Sequence, residues 1–172
     1  MSKELQENVC EEKIFSMIYR KYSKDIYNFL YYKYGETLES NDKMQDVFIK
    51  LLSHCKEVTP DKAKGFLFKV AKNMMLNAIK HKKVVLKHRE IKPKDYTNES
   101  PEFILEHQQF LKRYQQALSK LTEDQRTAFL LNKVEGKKHA EIAEMLGITR
   151  KAAENRIYTA YNKLKSELEG FK

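Results

Sequence analysis

An all-α chain in two small domains is what the sequence predicts, on three observations. Glycine and proline are scarce, at 5 and 3 in 172 residues, so few positions interrupt a helix. Apolar side chains recur at helical spacing over most of the length. Between residues 85 and 102 that periodicity lapses, and Pro93, Asp95, Thr97, Asn98, Ser100 and Pro101 read as a flexible interdomain linker. The expected bounds are 1–84 for the first domain, 85–102 for the linker and 103–172 for the second. A formal net charge of +9 gives a surface that attracts polyanions.

The first helix is expected from about Val9 to Tyr34, with Ile14, Ile18, Ile26, Phe29 and Leu30 on one side and Gly35 ending it. A second follows from about Ser40, where Met44, Val47, Phe48, Leu51, Leu52 and Cys55 form the stripe. Thr59-Pro60-Asp61 breaks the pattern. The third begins near Asp61 or Lys62 and carries Phe66, Leu67, Val70, Ala71, Met74 and Ile79. It runs into the densest basic stretch, where nine lysines and arginines from Lys69 through Lys94 face only Glu90. Charge runs at helix ends are ordinarily just solvated. Here the charge rides on an amphipathic helix beside the amides of Asn73 and Asn77, which suits contact with nucleic acid.

Periodicity resumes at Phe103 and continues through Phe110, Leu111, Tyr114, Ala117 and Leu118 to Leu121. Thr122 with Gln125 three residues later has the form of a capping box. The next helix is expected to bury Phe129, Leu130 and Val134 and to stop at Gly136.

The most informative segment runs from Lys137 to Ile157. It reads as a helix with Ile142, Ala143 and Leu146 buried, a tight turn at Gly147, and a second helix capped by Thr149. Ile148 fills the corner. From Ala153 the apolar residues recur at Ile157, Ala160, Tyr161, Leu164 and Leu168. The opposite face carries Lys151, Asn155, Tyr158, Thr159 and Asn162, flanked by Glu154 and Arg156. Such a corner places its second helix in the DNA major groove, where these side chains address base edges and phosphates. Two basic modules on one tether imply two contacts on the same nucleic acid.

Other functions find less support. Cys10 and Cys55 lack metal-ligand spacing and suggest no disulfide framework, and Cys55 reads as a small core residue. Asp42 and Asp46 share a helix face, but the other aspartates have no spacing that would converge on a metal ion. Neither catalytic nor metal-ligating residues are therefore assigned, and no cofactor or small-molecule substrate is expected. The amino terminus has no apolar signal core, and no run is long enough to span a bilayer, so the chain reads as cytoplasmic and not integral to a membrane.

With both modules in view, the chain resembles a sigma factor of the sigma-70 family, of the extracytoplasmic-function kind. Asn41 through Leu52 is similar to the helix of the second conserved region that binds the β′ clamp helices of RNA polymerase. Gly65 through Lys80 resembles the helix that melts and reads the promoter −10 element. Leu121 through Leu131 with the helix-turn-helix resembles region four, which reads the −35 element and meets the β flap. The resemblance implies that Asp42, Gln45, Asp46 and Phe48 contact core polymerase. It implies that Phe66, Lys69, Lys72, Asn73, Asn77 and Lys80 serve the −10 element, with Asn73 lining a pocket for a flipped base. Thr149, Arg150, Lys151, Glu154, Asn155, Arg156, Tyr158 and Thr159 are then the −35 residues. The chain departs from the family in having Phe66 where tryptophan is frequent, Asn77 where an acid is frequent, Lys80 for arginine and Glu154 for lysine. Core polymerase, promoter DNA and an anti-sigma factor are the implied partners. The alternative is a dimeric helix-turn-helix regulator, which predicts a palindromic site.

Overall fold

The computed structural model describes residues 8–35, 39–76 and 101–171. Among them, all regular structure is helical: α1 (Glu12–Tyr34), α2 (Ser40–Ser53), α3 (Ala63–Leu76), α4 (Pro101–Ser119), α5 (Glu123–Lys133), α6 (His139–Leu146) and α7 (Arg150–Glu167). A 3₁₀ turn at Pro60–Lys62 leads into α3. Helix α4 starts inside the expected linker, because proline's fixed φ suits the first position of a helix. Most of residues 85–102, and Ile79, lie outside the described residues.

In the first domain α1 packs across α2 and α3. Gly35 ends α1 at φ 78°, a conformation glycine adopts without steric cost, and its N–H donates to Tyr31 O at 2.8 Å. Phe29 meets Phe68 edge-on, with ring centroids 5.5 Å apart. The buried arc of α3 is rotated from the expected stripe. Leu67, Phe68, Ala71 and Met75 are buried, whereas Phe66, Val70 and Met74 are half-buried. The periodicity located an apolar side on α3 but not its centre, because α3 is covered by α1 and α2 and also touched by α6.

The cysteines correct the sequence reading. Cys10 and Cys55 form a disulfide between the turn entering α1 and the turn leaving α2. Forty-five residues of separation carry no local signal of the pairing; the antiparallel return of α2 along α1 creates it. The same turn accounts for the late start of α1, since Cys10 N–H donates to Asn8 Oδ1 at 3.0 Å and Val9 is fully buried.

In the second domain α5, α6 and α4 all pack on α7. The capping box at Thr122 forms as expected. Thr122 Oγ1 accepts from Gln125 N–H at 3.2 Å, and Thr122 N–H donates to Gln125 Oε1 at 3.3 Å. Val134 is exposed as the C-cap of α5, and Leu131 is buried in its stead. Likewise Met145 is buried in α6 while Leu146 is half-buried.

The two domains are in contact, which a tethered pair did not lead one to expect. Helix α1 packs on α5, and α3 on α6. At the centre Arg126 is only 2% exposed. Its Nε donates to Tyr32 O at 3.1 Å and its Nη2 to Lys33 O at 3.2 Å. These carbonyls belong to the last turn of α1, which has no intrahelical donors to offer them, so the guanidinium caps that helix from the other domain. Burial lowers the Arg126 pKa from its ordinary value. Around it Tyr32 hydrogen-bonds Glu135 through its hydroxyl, Lys137 pairs with Asp25 at 3.0 Å, Lys64 with Glu144 at 2.7 Å, and Lys33 with Asp124 at 3.3 Å. Tyr34, buried beside this seam, has its pKa pushed up to about 12 by burial and by the charges of Glu123 and Asp124.

Candidate nucleic-acid interface

Helix α3 presents a cleft on the face away from α1. Phe66, Lys69, Val70, Asn73 and Met74 recur at spacings of three and four, which puts them on one side of the helix. Lys50 and His54 from the end of α2 close the other wall, giving a cleft of about 450 Å³. The His54 imidazole faces the Phe66 ring at 5.6 Å, inclined by 45°. Its Nδ1 lies 3.0 Å from both Ser53 Oγ and Lys50 O. An aromatic wall, an exposed amide and two lysines are the groups that stack a base, address its edge and hold its phosphate. Three of the expected −10 residues, Phe66, Lys69 and Asn73, are thus brought together. Lys72 is not; it faces the cleft between the domains with Phe29, Tyr34 and Arg156. Asn77 and Lys80 lie outside the described residues. Lys50 and His54 were missed, because only the packing of α2 on α3 brings them to the cleft.

The helix-turn-helix forms where the sequence placed it. Gly147 takes the left-handed conformation at φ 65° and ψ 39°, and Ile148 N–H reaches back to Ala143 O at 2.9 Å. Thr149 Oγ1 accepts from Ala152 N–H at 3.1 Å and starts α7. Ala153, Ile157, Ala160, Leu164 and Leu168 are buried, so Lys151, Asn155, Tyr158 and Thr159 stand exposed on the opposite side. Arg150 Nε donates to Glu154 Oε1 at 3.1 Å, and His139 Nδ1 lies 3.4 Å from the same oxygen. The Glu154 carboxylate, which stands where the family often has lysine, therefore has a cation against it, and the terminal nitrogens of Arg150 stay available. Arg156 is set apart from this group. It pairs with Asp124 at 3.3 Å and lines the interdomain cleft.

On α2, Asp42 and Gln45 are exposed, and Asp46 is half-exposed with Lys43 at 3.6 Å. Phe48 is a correction: it is 2% exposed and packs edge-on against Phe15 and Tyr19, so it offers no surface to a partner. Its periodic place in the apolar stripe was the correct guide. The apolar residues that do share the acidic face are Ile49, 63% exposed, and Leu52, 50% exposed. Among the described residues no group of His, Cys, Asp or Glu could hold a metal ion, and no helix is long and apolar enough to cross a membrane.

Comparison with known proteins bears on these faces. The family model for sigma-70 region 2 matches residues 18–84, and that for sigma-70 region 4 matches residues 111–164. Between them they cover more than half of the chain. No curated protein matches. Among solved structures, CnrH in complex with the cytosolic domain of CnrY is similar at 22% identity and a TM-score of 0.59, over 94% of this chain and 92% of that one. The sigma factor RpoE of Bartonella quintana, in complex with the anti-sigma factor NepR, is similar at 18% identity and a TM-score of 0.61, over 93% of this chain and 99% of that one. At these identities the likeness is one of fold.

Proposed function

The chain belongs to the sigma-70 family and is a sigma factor of transcription initiation, and from that premise we propose that it is of the extracytoplasmic-function type. In this reading residues 1–84 bind core polymerase and the −10 element, 85–102 link, and 103–172 read the −35 element. The face of α2 bearing Asp42, Gln45, Asp46, Ile49 and Leu52 meets core polymerase: carboxylates beside exposed aliphatic side chains suit a basic, partly apolar partner surface. The α3 cleft takes a base extruded from the −10 strand, with Lys69 and Lys50 on flanking phosphates. Extrusion costs a few kcal/mol, and stacking on Phe66 with an edge contact from Asn73 offsets it. Strand opening then draws on binding energy alone. Lys151, Asn155, Tyr158 and Thr159 meet the −35 duplex, with Arg150 held by Glu154.

The observation that carries this reading is the coexistence, in one short chain, of a base-sized cationic cleft on α3 and a helix-turn-helix with an unobstructed polar face. A consequence follows from lengths. Elements 25 base pairs apart are roughly 85 Å apart along B-form DNA, whereas a compact chain of this size has a radius of gyration of about 16 Å. The two modules cannot stay in contact while both engage a promoter, so the Arg126 seam must part. An anti-sigma factor is proposed as a further partner, since the RpoE relative is held by one.

The test is a binding assay with purified core polymerase together with sedimentation of the free chain. A stoichiometric complex with polymerase and a monomeric free chain are expected. A chain that ignores polymerase, sediments as a dimer and binds a palindrome is instead a dimeric regulator.

A further inference from the structure

The one covalent bond that closes this fold adjoins the α3 cleft. Cys10 and Cys55 are the chain's two cysteines, and both are half-buried, next to the exposed Glu11 and Lys56. Neither residue is fully buried, which leaves the bond near the surface, where small thiols approach. Cys55 directly follows His54, whose imidazole faces Phe66 in the cleft wall. On the other side of the bond, Val9 is fully buried beside Cys10. The disulfide therefore fastens the wall of the cleft to an anchored turn at the start of α1.

We propose that Cys10 and Cys55 are a thiol–disulfide exchange site whose state sets the order of the His54–Phe66 wall, and through it the strength of −10 strand capture. The consequence for strand capture rests on the initiation reading. A factor working on polymerase and chromosomal DNA works in a reducing compartment, where protein disulfides are characteristically transient and redox-sensing. The reactant is a low-molecular-weight disulfide. One cysteine thiolate attacks a sulfur of that disulfide, its S–S bond breaks, and the first small thiolate leaves and takes up a proton. The second cysteine thiolate attacks the protein sulfur of the mixed disulfide, closing Cys10–Cys55 and expelling the second small thiol. The small disulfide is thereby reduced to two thiols as the protein dithiol is oxidised, and a dithiol reductant drives the reverse. Reduction opens a tie across 45 residues and leaves the turn at His54 held by its hydrogen bonds and by packing alone.

The experiment equilibrates the full chain in glutathione buffers of graded poise and counts its thiols by mass after alkylation. Amide hydrogen exchange and promoter opening with core polymerase are then compared in the two forms. We expect full interconversion, faster exchange over residues 53–74 in the reduced form, and a melting temperature lower by roughly 10 °C. Promoter opening should fall roughly three- to tenfold on reduction, the cost of ordering one or two wall side chains at binding. The Cys10→Ser/Cys55→Ser chain should match the reduced form and ignore the buffer. The proposal is overturned if thiols and disulfide do not interconvert, if exchange over residues 53–74 is the same in both states, or if an active factor opens promoters equally well in both. A chain that initiates in neither state refutes the initiation reading, and hydrogen exchange alone then decides the switch.

Discussion

Replacing Arg126 by methionine should uncouple the two domains. Methionine keeps most of the apolar stem and removes only the donors, so the change isolates the hydrogen bonds to Tyr32 O and Lys33 O. A hydrogen bond involving a charged group contributes roughly 1.5–3 kcal/mol, and two give about 3–6 kcal/mol. Part of this is offset, because the variant no longer desolvates a guanidinium and water can reach the freed carbonyls. A net loss of about 2–4 kcal/mol follows. For a chain of this size each kcal/mol moves the midpoint by about 2–4 °C, so calorimetry should show a fall of roughly 10 °C. Because Arg126 lies buried at the centre of the contact between α1 and α5, the single transition should also broaden or split into two. Lysine at 126 should rescue little, since one ammonium cannot fork two carbonyls. Easier opening should also tighten apparent affinity for core polymerase, by up to tenfold for each 1.4 kcal/mol of closure removed. A midpoint within 2 °C of wild type, with one sharp transition, would show that the seam does not depend on the buried guanidinium.

Three further outcomes are expected. Asp46→Lys should weaken core polymerase binding by about tenfold through charge reversal on the α2 face; its pair with Lys43 is a surface one contributing under about 1 kcal/mol, so circular dichroism should be unchanged, and intact affinity would remove that face from the interface. Lys151→Ala should weaken duplex binding almost equally on all sequences and lower the salt slope by about 0.9, one phosphate's worth; an unchanged slope would place Lys151 off the DNA. Tyr34→Phe should flatten the alkaline limb of stability. The folded-state pKa of Tyr34 is raised to about 12 above an ordinary value of 10.0, so its contribution is full below pH 10 and is lost as pH rises from 10 towards 12. A phenolate absorbance titration of wild type and variant checks this, and identical alkaline limbs would mean that Tyr34 ionises as freely folded as unfolded.

How far the sequence reached depended on whether a feature was local. The capping box at Thr122, the left-handed Gly147, the cap at Thr149 and the buried stripe from Ala153 to Leu168 are each decided within one or two turns of chain, and each forms as read. Periodicity told which side of α2 is apolar; Phe48 lies at the centre of that side and is core, while assigning it to a surface required ignoring its own stripe. Arg126 looks from the sequence like any charged residue on a helix. Only the proximity of α1, with carbonyls left over at its end, makes it the buried centre of a seam. The Cys10–Cys55 pair and the cleft residues Lys50 and His54 share that character, since each arises from α2 returning along α1 and against α3. Arg156 shows the same limit within one helix, where Asp124 on α5 draws it away from the exposed face of α7.

Promoter-directed transcription with purified core polymerase on genomic fragments, with and without this chain, tests initiation most directly. Discrete start sites that require the chain are expected, with strand opening at their −10 elements and loss of initiation when Asn73 and Lys69 are replaced by alanine. Transcripts indifferent to the chain, on every fragment and with polymerase shown to be active, would contradict its role as an initiation factor.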